Sequence, residues 1–156
     1  MEHFEILPIR EESLPEILRL AEQGGLSLWS EADYRAELVR EGSIALEIGK
    51  KQGRKTVGFI VTRLITKSNG HDPSQAEILN ITIDSDYRKL GLASALLDQV
   101  IRTVSGHLPA IIWLEVRYSN TGAIGFYEKH GFTREYVRKN FYSNPVEDGW
   151  VMKLEL

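Results

Sequence analysis

The chain has 156 residues, 42% of them hydrophobic and 26% charged, which suits one soluble globular domain spanning 1–156 with a substantial core. Its formal net charge of -3 supplies no positive field to gather nucleic acid. It contains no cysteine, which removes disulfides, thiolate metal sites and any thiol nucleophile.

The start, MEHFEILPIREE, is acidic and lacks the apolar core of a secretory leader. No apolar run is long enough to span a bilayer, so a cytoplasmic protein with no membrane partner is expected. Phe4 to Ile9 reads as a first strand. Ser13-Leu-Pro-Glu16 has the form of a capping box with proline in the first turn. Leu14, Ile17, Leu18 and Ala21 then follow helical spacing until Gly24-Gly25 stops them. Ser30 and Asp33 mark a second helix start, running to about Arg40. Ile44 to Ile48 and Thr56 to Ile65 form a hairpin across the polar stretch 49–55, and Lys67 to Gln75 is a loop.

Glu77 to Ile83 is the next strand. A helix follows, with Leu92, Leu96, Leu97, Val100, Ile101 and Val104 along one side. Ala110 to Val116 is a strand, Asn120 to His130 a helix, and Thr133 to Phe141 and Trp150 to Leu156 the last strands. The order β-α-α-β-β-β-α-β-α-β-β contains one β-α-β unit, which demands a parallel pair, between antiparallel hairpins. An α/β fold of α+β character follows, a single mixed sheet with helices on both faces.

Two places carry chemistry. Between the strand at 77–83 and its helix lies Asp84-Ser-Asp-Tyr-Arg-Lys-Leu-Gly-Leu-Ala-Ser94. Gly91 and Ala93 are small enough for close backbone approach, the helix start offers unpaired N–H groups, and Arg88 and Lys89 add positive charge. A pyrophosphate would fit there, although the string is neither a dinucleotide fingerprint nor a nucleotide-hydrolysis loop. The second place is WLEVRYSNTGAIGFYEKHGF, from Trp113 to Phe132. Alternation puts Glu115 on one strand face with Ile111 and Trp113, and helical spacing puts Asn120, Ile124 and Tyr127 on one helix face. Taken singly, a strand-end carboxylate, an N-cap and a core aromatic explain them better than chemistry does. His3, His71, His107 and His130 lack metal-ligand spacing, and no metal site is expected.

The first string resembles the acetyl-CoA pyrophosphate loop of GNAT-type N-acetyltransferases, Arg/Gln-x-x-Gly-x-Gly/Ala, with Arg88, Gly91 and Ala93 in its three positions. Leu90 stands where a polar residue is common. The second resembles the hallmark of the ribosomal-protein alanine (RimI type) N-acetyltransferases and of catalytic subunits that acetylate protein N-termini. The likeness reaches Leu28-Trp29-Ser30 upstream, and Arg138 to Tyr142 and Glu147-Asp148 downstream. It implies the GNAT fold and acetyl-CoA as co-substrate, without metal. Cofactor contacts would come from Ile81, Thr82 and Ile83, from Arg88, Lys89, Leu90, Gly91, Leu92, Ala93 and Ser94, and from Asn120. It implies Glu115 as general base and Tyr127 as general acid, with a main-chain N–H near Ile83 opposite the charge developing on the carbonyl oxygen. The acceptor would be a protein or peptide N-terminus, a ribosomal protein among the candidates, bordered by Trp29 and Tyr142. Acetylation of a small amine such as a polyamine and non-catalytic acyl-CoA binding are the rival readings. The sequence leaves the oligomeric state open.

Overall fold

The structure, a computed structural model, describes residues 2–26, 29–66 and 72–156. The expected order is observed: β1 (Phe4–Pro8), α1 (Leu14–Gln23), α2 (Glu31–Leu38), β2 (Ser43–Lys50), β3 (Thr56–Ile65), β4 (Ser74–Ile83), α3 (Leu92–Val104), β5 (Ala110–Arg117), α4 (Thr121–Lys129), β6 (Thr133–Tyr142) and β7 (Glu147–Glu155). Strand β4 begins at Ser74, inside the expected loop, because Ser74 already pairs with Ala110. Strand β7 begins at Glu147 rather than Trp150, since Tyr142 and Glu147 pair across the hairpin. Leu28 and the loop residues 67–71 lie outside the described residues.

One seven-stranded sheet has the order β1-β2-β3-β4-β5-β7-β6. Strands β4 and β5 run parallel and the other neighbours antiparallel. Two cores cover its faces. On one, α3 buries Leu92, Leu96, Leu97, Val100 and Val104, and α4 buries Ile124 and Tyr127, against Ile112, Leu114 and Val116 of β5. On the other, Leu14, Ile17, Leu20 and Ala21 of α1 and Tyr34 of α2 pack on Phe59 and Val61. Strand β5 shows the division residue by residue: Ala110, Ile112, Leu114 and Val116 are buried, while Ile111, Trp113, Glu115 and Arg117 are half-buried on the α1–α2 face.

The helix starts differ from each other. Ser30 caps α2, its hydroxyl accepting from Asp33 N at 3.1 Å while Asp33 accepts from Ser30 N at 2.7 Å, as the sequence predicts. The box expected at Ser13 does not form. A short 3-10 turn at Glu11–Ser13 leaves Ser13 in helical dihedrals, and its hydroxyl accepts from Arg10 at 3.3 Å.

The feature that positions the site is a wedge. Pairing of β4 with β5 runs from Ser74↔Ala110 to Ile78↔Leu114 and stops. At the same level the β3–β4 register shifts, Thr62↔Ile78 giving way to Val61↔Asn80, so Leu79 is an extra residue on β4. A bulge bends its strand and re-aims the backbone beyond it. Past it, β4 stays with β3, β5 stays with β7, and the two separate.

Candidate active site

The wedge has a main-chain wall. Asp84 N donates to Val57 O at 2.8 Å, so the polar groups of Asp84, and by alternation those of Thr82 and Asn80, point toward β3. Those of Ile81 and Ile83 therefore face the wedge. Thr82 differs from its neighbours in another way: its side chain lies against Gly24 at the end of α1.

The chain leaves β4 by a turn built around Asp84, whose carboxylate accepts from Asp86 N at 3.1 Å and from Arg19 at 2.6 Å. The hydrogen bond from Arg19 holds Asp84 below the ordinary carboxylate range, against an opposing effect of burial. Lys89 (φ 62) and Gly91 (φ 75) then take left-handed conformations, and α3 begins with no side chain capping its N–H groups. Among the described residues, and apart from its own chain neighbours, nothing lies within 4 Å of where a Cβ on Gly91 would stand. Glycine thus supplies a dihedral that other residues resist and open room for a ligand at a helix start that favours anions. Arg88 turns back to donate to Ile83 O at 3.3 Å, which sets its guanidinium at the mouth of the wedge. Lys50 and Lys55 stand 5.0 and 5.5 Å from the Tyr87 ring centroid, adding charge that the hairpin's sequence does not reveal. Leu90 is exposed, while Ala93 and Ser94 are half-buried at the start of α3. These donors and cations suit a pyrophosphate.

The opposite side is made of side chains on the α1–α2 face. Glu115 follows the last paired residue of β5, at the lip of the wedge, and forms an ion pair with Arg138 of β6. Glu77, on β4, lies close enough for charge coupling. Burial and then the charge of Glu115 push its carboxyl up, against Arg63 and Arg138. Arg63 is held by Glu37 at 2.6 Å and lies 5.8 Å from the Trp29 ring, which packs 5.2 Å from Tyr34. Trp29, Arg63, Glu77, Glu115 and Arg138 therefore form a continuous strip.

Tyr142 completes the strip through a second irregularity. From Arg138↔Gly149 to Tyr142↔Glu147, β6 has two more residues than β7. Asn140, at φ 51, donates its N–H to Asp148 at 2.9 Å, and Lys139 pairs with the same carboxylate at 2.9 Å. This bulge turns both Phe141 and Tyr142 over Gly149, where a Cβ would stand 3.3 and 3.0 Å from their rings. Burial, then the charge of Glu115, pushes the Tyr142 phenol up to about 12.

Tyr127 packs in the core on the other face of the sheet. It is 6% exposed, and its hydroxyl is pushed well above its ordinary value, first by burial and then by the charge of Tyr142. Tyr142 thus lies within electrostatic reach of both Glu115 and Tyr127. Asn120 caps α4, its Oδ1 accepting from Ala123 N at 3.2 Å, and its carboxamide N–H groups remain for a ligand. Among the described residues, no group of His, Cys, Asp or Glu could hold a metal ion. Sequence reading missed Glu77. Its one signal was parity: Gln75 bonds Trp113 Nε1 at 2.6 Å, so 75 and 77 share the face of Trp113 and Glu115.

Residues 11–132 match the acetyltransferase (GNAT) family. The chain is 32% identical over 136 residues to the [ribosomal protein bS18]-alanine N-acetyltransferase of Escherichia coli (strain K12), covering 87% of this chain and 84% of that one. The crystal structure of the Escherichia coli ribosomal-protein-S18-alanine N-acetyltransferase superposes with a TM-score of 0.81 at 28% identity, over 97% of this chain and 93% of that one. Arabidopsis thaliana Naa50, in complex with the bisubstrate analogue CoA-Ac-MVNAL, shares the fold, with a TM-score of 0.85 at 24% identity over 99% of both chains.

Proposed function

The chain belongs to the acetyltransferase (GNAT) family, and from that premise we propose that it acetylates the N-terminal α-amine of a protein or peptide. It is an acetyl-CoA-dependent N-acetyltransferase. The observation that supports the finer reading most is the wedge between β4 and β5, with main-chain groups along one wall and Glu115 at the lip of the other.

Acetyl-CoA supplies the activated acyl group. The N–H groups at the start of α3, with Arg88, Lys89, Lys50 and Lys55 near them, hold its pyrophosphate, and Ile81 and Ile83 pair with the pantetheine arm. A main-chain N–H facing the wedge lies opposite the charge that develops on the carbonyl oxygen. The acceptor enters over the α1–α2 face between Trp29 and Tyr142. An α-amine has a pKa of about 7.7–8.0, against about 10.4 for a lysine, so it sheds its proton near neutral pH with little help. Glu115 takes that proton directly or through a water. Tyr127, kept protonated by burial, donates to the departing thiolate from the opposite side.

With no cysteine in the chain, an acetyl-cysteine intermediate is impossible, and the proposal is direct transfer within one ternary complex. The RimI-type relatives make a ribosomal protein's N-terminus the first acceptor to try. Peptides with free N-termini, N-blocked lysine peptides and polyamines, each incubated with acetyl-CoA, should yield products from the first set by mass spectrometry. Acetylated polyamine alone would overturn the assignment, and an acetyl-enzyme formed without acceptor would overturn direct transfer.

A further inference from the structure

We infer that Arg117 is the positioning residue of the acceptor wall, fixing Tyr142 and the β6–β7 turn in the geometry that receives the acceptor. The inference rests on the acetyl-transfer reading above. Arg117 ends β5 on the face of Glu115, opposite Gly149. Its Nη1 donates to Pro145 O at 3.1 Å and to Glu147 Oε2 at 3.3 Å, and its Nη2 donates to Ser143 O at 3.1 Å. The same guanidinium stands 4.5 Å from the Tyr142 ring centroid.

One planar fork thus holds two carbonyls of the turn, the carboxylate opening β7 and the aromatic closing β6. Only an arginine presents donors in a fixed plane while offering that plane to a ring. The turn has little else to hold it. Val146 is 69% exposed, Asn144 takes a left-handed φ of 53°, and among the described residues no other side chain bonds the turn's carbonyls. Glu147 passes the constraint on, accepting Ser119 N at 2.6 Å beside the cap of α4.

The arrangement repeats a motif next to it. Glu115, Arg138 and Phe141 form one carboxylate–guanidinium–ring stack, with Arg138 4.3 Å from the ring. Glu147, Arg117 and Tyr142 form the second. The first holds the proposed base and the second holds the wall facing it.

Arg117→Ala and Arg117→Lys test this in the enzyme of residues 1–156. Arg117→Ala should raise the peptide KM about tenfold, about 1.4 kcal/mol, with the acetyl-CoA KM held. Arg117→Lys keeps the charge but not the fork, and should fall between the two. Amide hydrogen exchange should accelerate at 143–149 and at Ser119, with 84–104 unchanged. A peptide KM that does not move, or that moves together with the acetyl-CoA KM, overturns the role. If the alanine variant fails to fold, the lysine variant decides. A wild type that acetylates no peptide defeats the functional reading instead, and the exchange pattern still decides whether Arg117 holds the wall.

Discussion

The two sides of the wedge are made of different material. The proposed donor side is a run of consecutive residues, 84–94, that offers main-chain N–H groups at a helix start. The proposed acceptor side gathers side chains from three strands: Glu77, Glu115, Arg117, Arg138 and Tyr142. A main-chain site tolerates most side chains except where a dihedral is required. A side-chain site depends on each residue and on the register that brings it in. Changes on the donor side should therefore act on cofactor affinity, and changes on the acceptor side on turnover and acceptor KM.

The largest effect that separates the two is expected from Glu115→Gln. It keeps the shape and removes the proposed proton acceptor, so kcat should fall by about 10^3. Calorimetric affinity for CoA should stay as it is. A fall of only severalfold would shift the base role toward Glu77, the neighbouring carboxyl. Tyr127→Phe should lower kcat by about 10^2 while CoA affinity and the thermal midpoint hold. A phenol this deep in the core whose removal leaves kcat intact would be packing alone.

Gly91→Ala probes the other side. A left-handed φ costs a residue with a Cβ about 1–2 kcal/mol, so the acetyl-CoA KM should rise about tenfold at nearly constant kcat. A larger effect on kcat than on this KM would erase the distinction between the walls. The smallest effect on activity is expected at Asp84, at the base of the donor turn, which is 3% exposed and bonded to Arg19. Asp84→Asn should cost about 1–2 kcal/mol in urea unfolding, reduced because the Arg19 side chain is partly exposed. The folded state lowers the Asp84 pKa. Its contribution is thus complete above the unfolded value, near 3.9, and is lost as pH falls through the lower folded value. The variant should therefore show a flatter acid limb in its stability profile.

The same division governs what the sequence reveals. The donor turn is contiguous, so the helix start, Gly91 and the neighbouring cations are visible as a string. Glu115 is visible because a charge interrupts an alternating strand. Helical spacing groups Asn120, Ile124 and Tyr127, but it does not reveal that their helix packs on the face of β5 opposite Glu115. The partner of Glu115 is 23 residues away, and Arg117 reaches 26 to 30 residues ahead. Those contacts depend on two extra residues in β6 and on a glycine at 149 that leaves room for two rings, and neither has a local signature. The Ser13 box fails for a local reason: a 3-10 turn at Glu11–Ser13 leaves Ser13 in helical dihedrals, and Arg10, three residues earlier, bonds its hydroxyl.

The central claim is that the site acts on an N-terminal α-amine. The direct measurement offers both amines in one molecule, a peptide with a free N-terminus and an internal lysine, incubated with acetyl-CoA and sequenced by fragmentation mass spectrometry. The account predicts acetyl on the first residue, lost with Glu115→Gln. Acetyl on the lysine with the N-terminus left free would contradict it.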